Sequence, residues 1–139
     1  MSRITRTIVA DRRIGAEGES RVQAILSTHF KTELIKTDKY FPMDWAGCGC
    51  WVELKTRPNV FSYTYPTLML SYSKIEFAKQ SDRPVYIVFQ LKDGLFYIIF
   101  DEERFETYSV TTFQRQYRTD IDDKNDRVIH IPVTDLTKI

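Results

Sequence analysis

Apolar residues recur at helical spacing in two stretches of the chain. In residues 15–30 Ile25 and Leu26 follow Val22 by three and four positions, and Phe30 follows Leu26 by four. This spacing puts them on one face of an α-helix, so we predict a helix over residues 15–30. A second helix is predicted over residues 71–80, where Ser73 is a candidate N-cap.

Runs of β-branched and aromatic residues predict strands elsewhere in the chain. Residues 33–45 alternate between apolar and polar positions, and Pro42 indicates an edge strand or a bent one. Further strands are predicted at residues 50–56, 84–91, 95–100 and 127–133. Residues 57–70 contain two prolines and no clean period, so we predict a loop there.

The order of these elements predicts the fold class. Helix, strand pair, helix, strand pair and a less regular tail indicate an α/β fold with a mixed central β-sheet flanked by helices. A chain of 139 residues has the usual length of one domain, so residues 1–139 are interpreted as a single domain. Its 42% hydrophobic and 28% charged residues are typical of soluble globular proteins.

Charge and hydropathy narrow the classes of function. The arginines near the N-terminus precede no apolar stretch, and the apolar runs at 85–89 and 95–100 are too short to cross a bilayer. We therefore expect an intracellular, cytoplasmic protein. The net charge of +1 gives no overall indication of nucleic acid, but residues 54–79 carry four basic side chains and one acidic one. A solvated surface is the alternative explanation of that excess.

The candidate chemistry lies on a predicted hairpin. A two-residue turn at Cys48-Gly49 would pair residue 45 with 52 and place Asp44 directly opposite Glu53. Side chains two apart on a strand point the same way, so Glu53 and Lys55 share a face. Opposed carboxylates repel each other, and a divalent cation such as Mg²⁺ or Mn²⁺ would relieve the repulsion.

The same hairpin register makes a prediction about the core. It puts Met43 and Trp45 on one face, together with Val52 and Leu54, and we expect that face to be buried. Lys55, on the opposite face, is placed to orient or deprotonate an attacking water and to offset the charge of a phosphate.

Asp44 followed after eight residues by Glu53-Leu54-Lys55 resembles the motif of the PD-(D/E)XK nuclease superfamily. Pro42 lies two positions before the aspartate, whereas the family's nominal motif has the proline directly before it. The element order over residues 15–100 also resembles the restriction-endonuclease-like core, including small junction-resolvase-like members. Residues 53–57 together with 65–67 look like members encoded by phages and large DNA viruses.

The resemblance implies Mg²⁺-dependent hydrolysis of phosphodiester bonds in DNA, with Mn²⁺ as a possible substitute. Asp44, Glu53 and the carbonyl of Leu54 would bind the metal, and Lys55 would act on the water. Family members commonly carry another acid on the upstream helix. Glu19 matches that position as a catalytic and metal-supporting residue, and Glu17 is the competing candidate.

The resemblance also implies contacts with nucleic acid. Thr56 and Arg57 are candidates for binding the phosphate backbone, and Lys74 is a candidate on the second helix. Aromatic side chains over residues 61–72 either stack on unpaired bases or cover the core. We expect a homodimer that cuts duplex or branched DNA. A non-catalytic nucleic-acid-binding module of the same fold and an RNA endonuclease remain alternatives.

Overall fold

The computed structural model describes residues 18–112 and 126–139. Helix α1 covers 18–29 in the described part. The other elements are, in chain order, β1 (Ile35–Lys36), β2 (Trp45–Gly47), β3 (Cys50–Thr56), β4 (Thr67–Ser71), α2 (Tyr72–Gln80), β5 (Val85–Leu91), β6 (Gly94–Ile99), α3 (Glu102–Glu106), β7 (Ser109–Thr112), β8 (Arg127–Pro132), a 3₁₀ turn (Val133–Asp135) and β9 (Thr137–Lys138).

A mixed central sheet organises these elements. Its six strands run in the order β1-β2-β3-β5-β6-β9. β3 and β5 are parallel, whereas the other neighbours are antiparallel. The α/β class with a mixed central sheet is therefore confirmed. No helix in the described ranges is long and apolar enough to cross a bilayer.

The two faces of this sheet are covered by different partners. On one face Val52 and Val88 pack against Val22 and Leu26 of α1. On the other face the odd-numbered residues of β5, from Val85 to Leu91, pack with α2 and with a second sheet. The alternation along β3 therefore decides which side chains face α1 and which face α2.

The second sheet was not expected from the sequence. Its three antiparallel strands run in the order β4-β8-β7. The loop prediction for residues 57–70 is wrong at its end, because Thr67–Ser71 forms β4, with Leu68 and Leu70 buried and Met69 42% exposed. Such a short alternation beside Pro66 is hard to tell from a loop until β8 pairs with it.

Other elements follow the expectations with local corrections. Residues 33–45 do not form one strand, because the chain turns between β1 and β2, where the Phe41 N–H donates to the Asp38 carbonyl at 3.0 Å. Ser71, not Ser73, is the N-cap of α2, and it makes no side-chain capping bond. The predicted strands at 50–56, 84–91, 95–100 and 127–133 are confirmed within one residue. Residues 15–17 of the predicted first helix, including the candidate acid Glu17, lie outside the described residues.

Gly47 provides a test of the packing around the β2-β3 hairpin. A Cβ atom there would lie 2.6 Å from the Cys50 Sγ and 2.9 Å from the Thr32 Cγ2. We expect Gly47→Ala to lower the free energy of unfolding by about 1–3 kcal/mol, because Cys50 is buried and has little room to shift.

Gly18→Ala is the matched control, since no heavy atom of the described residues, apart from its chain neighbours and the backbone of its own helix, lies within 4 Å of the added Cβ. It should be neutral or stabilise α1 by roughly 0.5–1 kcal/mol. Urea unfolding measures both variants, and equal stability of the two would contradict the close packing at Gly47.

Candidate active site

The hairpin of β2 and β3 has the predicted turn and register. Gly49 has φ +85°, a conformation that glycine adopts without strain. Trp45 pairs with Val52 and Gly47 with Cys50, as the two-residue turn requires. This register directs Glu53 to the α2 face of the sheet and Leu54 to the α1 face.

Asp44 lies one residue before the regular pairing of this hairpin. Its N–H donates to the Val52 carbonyl at 3.0 Å, and its Oδ2 accepts from the Leu54 N–H at 2.7 Å. The backbone of β3 therefore orients the Asp44 carboxylate. Because the chain leaves the ladder here, Met43 packs in the α2-side cluster while Trp45 packs in the α1-side cluster. The prediction that these two share a face is wrong.

Glu53 is the buried charged residue of the described chain, at 5% exposure. Its neighbour in the parallel register is Ile87 of β5, so the carboxyl group sits against an apolar cluster. Its Oε1 lies 3.4 Å from the Lys74 Nζ, and its buried Oε2 accepts no hydrogen bond within the described residues. Glu53 therefore holds one buried oxygen without a hydrogen-bond partner among the described residues.

The environment of Glu53 favours its protonated form. Burial, the largest cause, acts together with the negative charge of Asp44 and against the positive charge of Lys74, and the combined effect raises the pKa of Glu53 from 4.5 to about 8. A proton on Glu53 also permits a hydrogen bond to the Asp44 carboxylate. The two acids, expected from the sequence to lie close together, do interact.

Lys74 is held inside this site. Its Nζ donates to the Pro42 carbonyl as well as pairing with Glu53, and its side chain is 26% exposed. Helix α2 thus supplies a cation to the motif hairpin. Lys74, which the sequence suggested as a contact for nucleic acid, lies beside the acid pair.

A cleft on the α1 side brings several of the other candidates together. Its volume is about 560 Å³, and its lining includes Glu19, Asp44, Leu54, Thr56, Pro58 and Gln90. Glu19 pairs with Lys36 at 3.1 Å, with both side chains at least 36% exposed. The described residues contain no group of three or more Asp, Glu, His or Cys side chains placed to hold a metal. Asp44, which interacts with Glu53, therefore also shares this cleft with Glu19.

The remaining candidates lie where β3 ends. Lys55 is half-buried and, two residues after Glu53, lies on the same face of the strand. The Thr56 hydroxyl donates to the Gln90 Oε1 at 3.2 Å, and the Arg57 N–H donates to the Gln90 carbonyl at 2.8 Å. Sequence reasoning missed Gln90. The only sign of it in the sequence was an amide side chain in the otherwise apolar strand β5, which pairs with β3.

The raised pKa of Glu53 predicts how stability depends on pH in the presence of a chelator. The folded protein keeps a proton on Glu53 that the unfolded chain loses near pH 4.5. The stabilising contribution is complete below that pH and is lost as the pH rises through about 8. We expect the free energy of unfolding to fall over this range by on the order of a few kcal/mol.

Glu53→Gln should flatten this part of the profile, because the amide stays neutral at every pH. Exposed Glu33, replaced by Gln, is the control and should keep the wild-type slope. Urea unfolding at pH 5, 6.5 and 8 measures all three proteins. Parallel profiles for wild type and Glu53→Gln would contradict the shifted pKa.

Comparison with known protein families gives a match over most of the chain. No curated protein matches the chain. The family described as "Phage putative PDDEXK endonuclease" matches residues 7–139 and so includes Asp44, Glu53 and Lys55. The mixed α/β sheet is consistent with the restriction-endonuclease-like core that the motif suggested. The chain therefore belongs to this phage PDDEXK endonuclease family.

Proposed function

We propose that the protein is a Mg²⁺-dependent endonuclease that hydrolyses phosphodiester bonds in DNA. The observation that carries the proposal is the buried Glu53 carboxyl group, with one unpartnered oxygen, beside Asp44. Mg²⁺ commonly binds one or two protein carboxylates and completes its octahedral shell with water and phosphate oxygens. Two adjacent acids that compete for one proton fit such an ion.

The residues of the chain divide the chemistry between them. A bound Mg²⁺ would polarise the phosphate and lower the pKa of the attacking water. Asp44, oriented by the Leu54 amide, and Glu53 supply the carboxylate oxygens, and the Leu54 carbonyl is the proposed third ligand. Lys55 accepts or positions the proton of the water, on the same face as Glu53.

Lys74 and Glu19 act around this pair. Lys74 restrains one Glu53 oxygen and leaves the other free. Glu19 shares the cleft with Asp44, and we assign it to hold a metal-bound water there. Its exposed ion pair with Lys36 contributes at most about 1 kcal/mol, so the carboxylate is released at little cost.

Contacts with the DNA backbone come from the end of β3. Thr56 lines the cleft and Arg57 follows directly, so both are placed to bind phosphates next to the reacting one. Lys74 contributes positive charge from α2. Two copies of the chain would present one such site to each strand of a duplex, so the proposed assembly is a homodimer.

Two substitutions test the assignment of the site. We expect Glu53→Gln and Lys55→Ala each to reduce the rate of DNA cleavage in Mg²⁺ or Mn²⁺ by at least 10³-fold, because each removes a group that acts in the transition state. DNA binding should change by less than about fivefold, since phosphate contacts are shared among several basic residues.

Glu33→Gln is the control and should cleave like wild type. Cleavage rates on single-stranded, duplex and four-way-junction DNA, with RNA in parallel, provide the measurement. Wild-type rates in either site variant would contradict the assignment of the site, and cleavage of RNA alone would contradict DNA as the substrate.

A further inference from the structure

The loop of residues 57–66, between β3 and β4, is fastened to the rest of the fold. The Ser62 N–H and hydroxyl donate to the Asp93 carboxylate at 2.9 and 2.5 Å. The Lys92 N–H donates to the Val60 carbonyl at 2.8 Å, and Arg57 is bonded to Gln90. These bonds tie the loop backbone to β5 and to the turn that follows it.

This anchored loop presents aromatic rings to solvent. The rings of Phe61 and Tyr63 are stacked, with centroids 5.0 Å apart and an interplanar angle of 15°. Tyr63 is 76% exposed and Tyr65 is 57% exposed, so neither ring serves mainly to cover a core. Tyr72 differs, because its ring packs against the α2-side core cluster. Within the described residues, Tyr63 and Tyr65 pack against neither of the two core clusters.

The loop also lies beside the proposed active site. β3 and β5 are parallel, so their carboxyl ends meet at the same edge of the sheet. Pro58, in the loop, lines the cleft together with Asp44. Tyr63 is five residues further along, and so its Cα lies at most roughly 18 Å from that of Pro58. A strand a few nucleotides long spans that distance.

Positive charge accompanies the rings. The Lys92 Nζ lies 5.2 Å from the centre of the Phe61 ring. Arg57 lies at the start of the loop, and Lys138 is close enough to influence Asp93 electrostatically. Exposed aromatic rings with cations beside them are the combination that holds single-stranded nucleic acid, in which each base offers a free face.

We propose that Phe61, Tyr63 and Tyr65 form a stacking platform for the unpaired bases of a DNA strand that leads into the cleft. This inference rests on the proposed function and specifies its substrate class, namely DNA with a single-stranded segment such as a tail, a fork or a gap. Inside an intact duplex each base is already stacked on both sides, so the interior of a duplex offers the platform no free face.

Binding of fluorescent oligonucleotides in chelator tests the platform without cleavage. The probes are single-stranded DNA with 2-aminopurine, a blunt duplex, the same duplex with a single-stranded tail, and single-stranded RNA. We expect Tyr63→Ala and Tyr65→Ala to weaken binding of single-stranded and tailed DNA at least fivefold, the lower end of the effect of losing one stacking ring. Binding of the blunt duplex should stay the same.

Tyr40→Ala is the matched control, since Tyr40 is 87% exposed on a different loop. Tyr63→Trp should bind single-stranded DNA about as tightly as wild type. Wild type should quench the 2-aminopurine fluorescence, and Tyr63→Ala should not. Equal affinity of wild type and Tyr63→Ala for single-stranded DNA, without quenching, would overturn the platform. Tighter tyrosine-dependent binding of RNA would overturn DNA as its partner.

Cleavage assays in Mg²⁺ separate this inference from the proposed function. If wild type cleaves no substrate while binding of single-stranded DNA depends on Tyr63, the proposed function fails and the platform stands. If wild type cleaves blunt and tailed duplexes equally and Tyr63→Ala does the same, the platform fails and the nuclease stands.

Discussion

The burial of the Glu53 carboxyl group is the constraint on which the site depends. A charged group placed against the apolar side chains of β5 loses its hydration, and that cost is met by Lys74, by a shared proton with Asp44, or by a cation. Lys74 pairs with the Oε1 atom, and Asp44 favours the protonated form of Glu53. The free Oε2 is left for a ligand that binds carboxylates. A group kept at such cost is a common mark of a functional site.

The fold positions this group through the hairpin and its parallel neighbour. The tight turn at Gly49 sets the register of β2 against β3. Where the regular pairing ends, the Leu54 N–H donates a hydrogen bond to the Asp44 carboxylate. Asp44 consequently belongs both to the Glu53 pair and to the cleft under α1. The parallel pairing of β3 with β5 brings Gln90 and the aromatic loop to the same edge.

The sequence predicted the parts of this arrangement that depend on local pattern. Glycine in a two-residue turn and the alternation along β3 were sufficient for the register and for Glu53 and Lys55 sharing a face. Contacts between distant elements were not predictable in the same way. The pairing of Lys74 with Glu53 depends on how α2 packs against the sheet. Residues 67–71 form the strand β4 because they pair with β8, which is distant in the sequence. Met43 and Trp45 pack in different core clusters because the regular strand pairing ends at Asp44. The pattern of apolar residues does not show where that pairing ends.

Calorimetric titration of the protein with Mg²⁺ near pH 7, in buffers with different enthalpies of ionisation, tests most directly whether the acid pair is a metal site. A metal that binds ionised carboxylates must displace the proton from Glu53, whose pKa in the metal-free protein is about 8. We expect wild type to release nearly one proton per bound ion. Glu53→Gln should show neither that release nor a comparable affinity for Mg²⁺. Mg²⁺ binding without proton release, or equal binding by Glu53→Gln, would contradict this expectation.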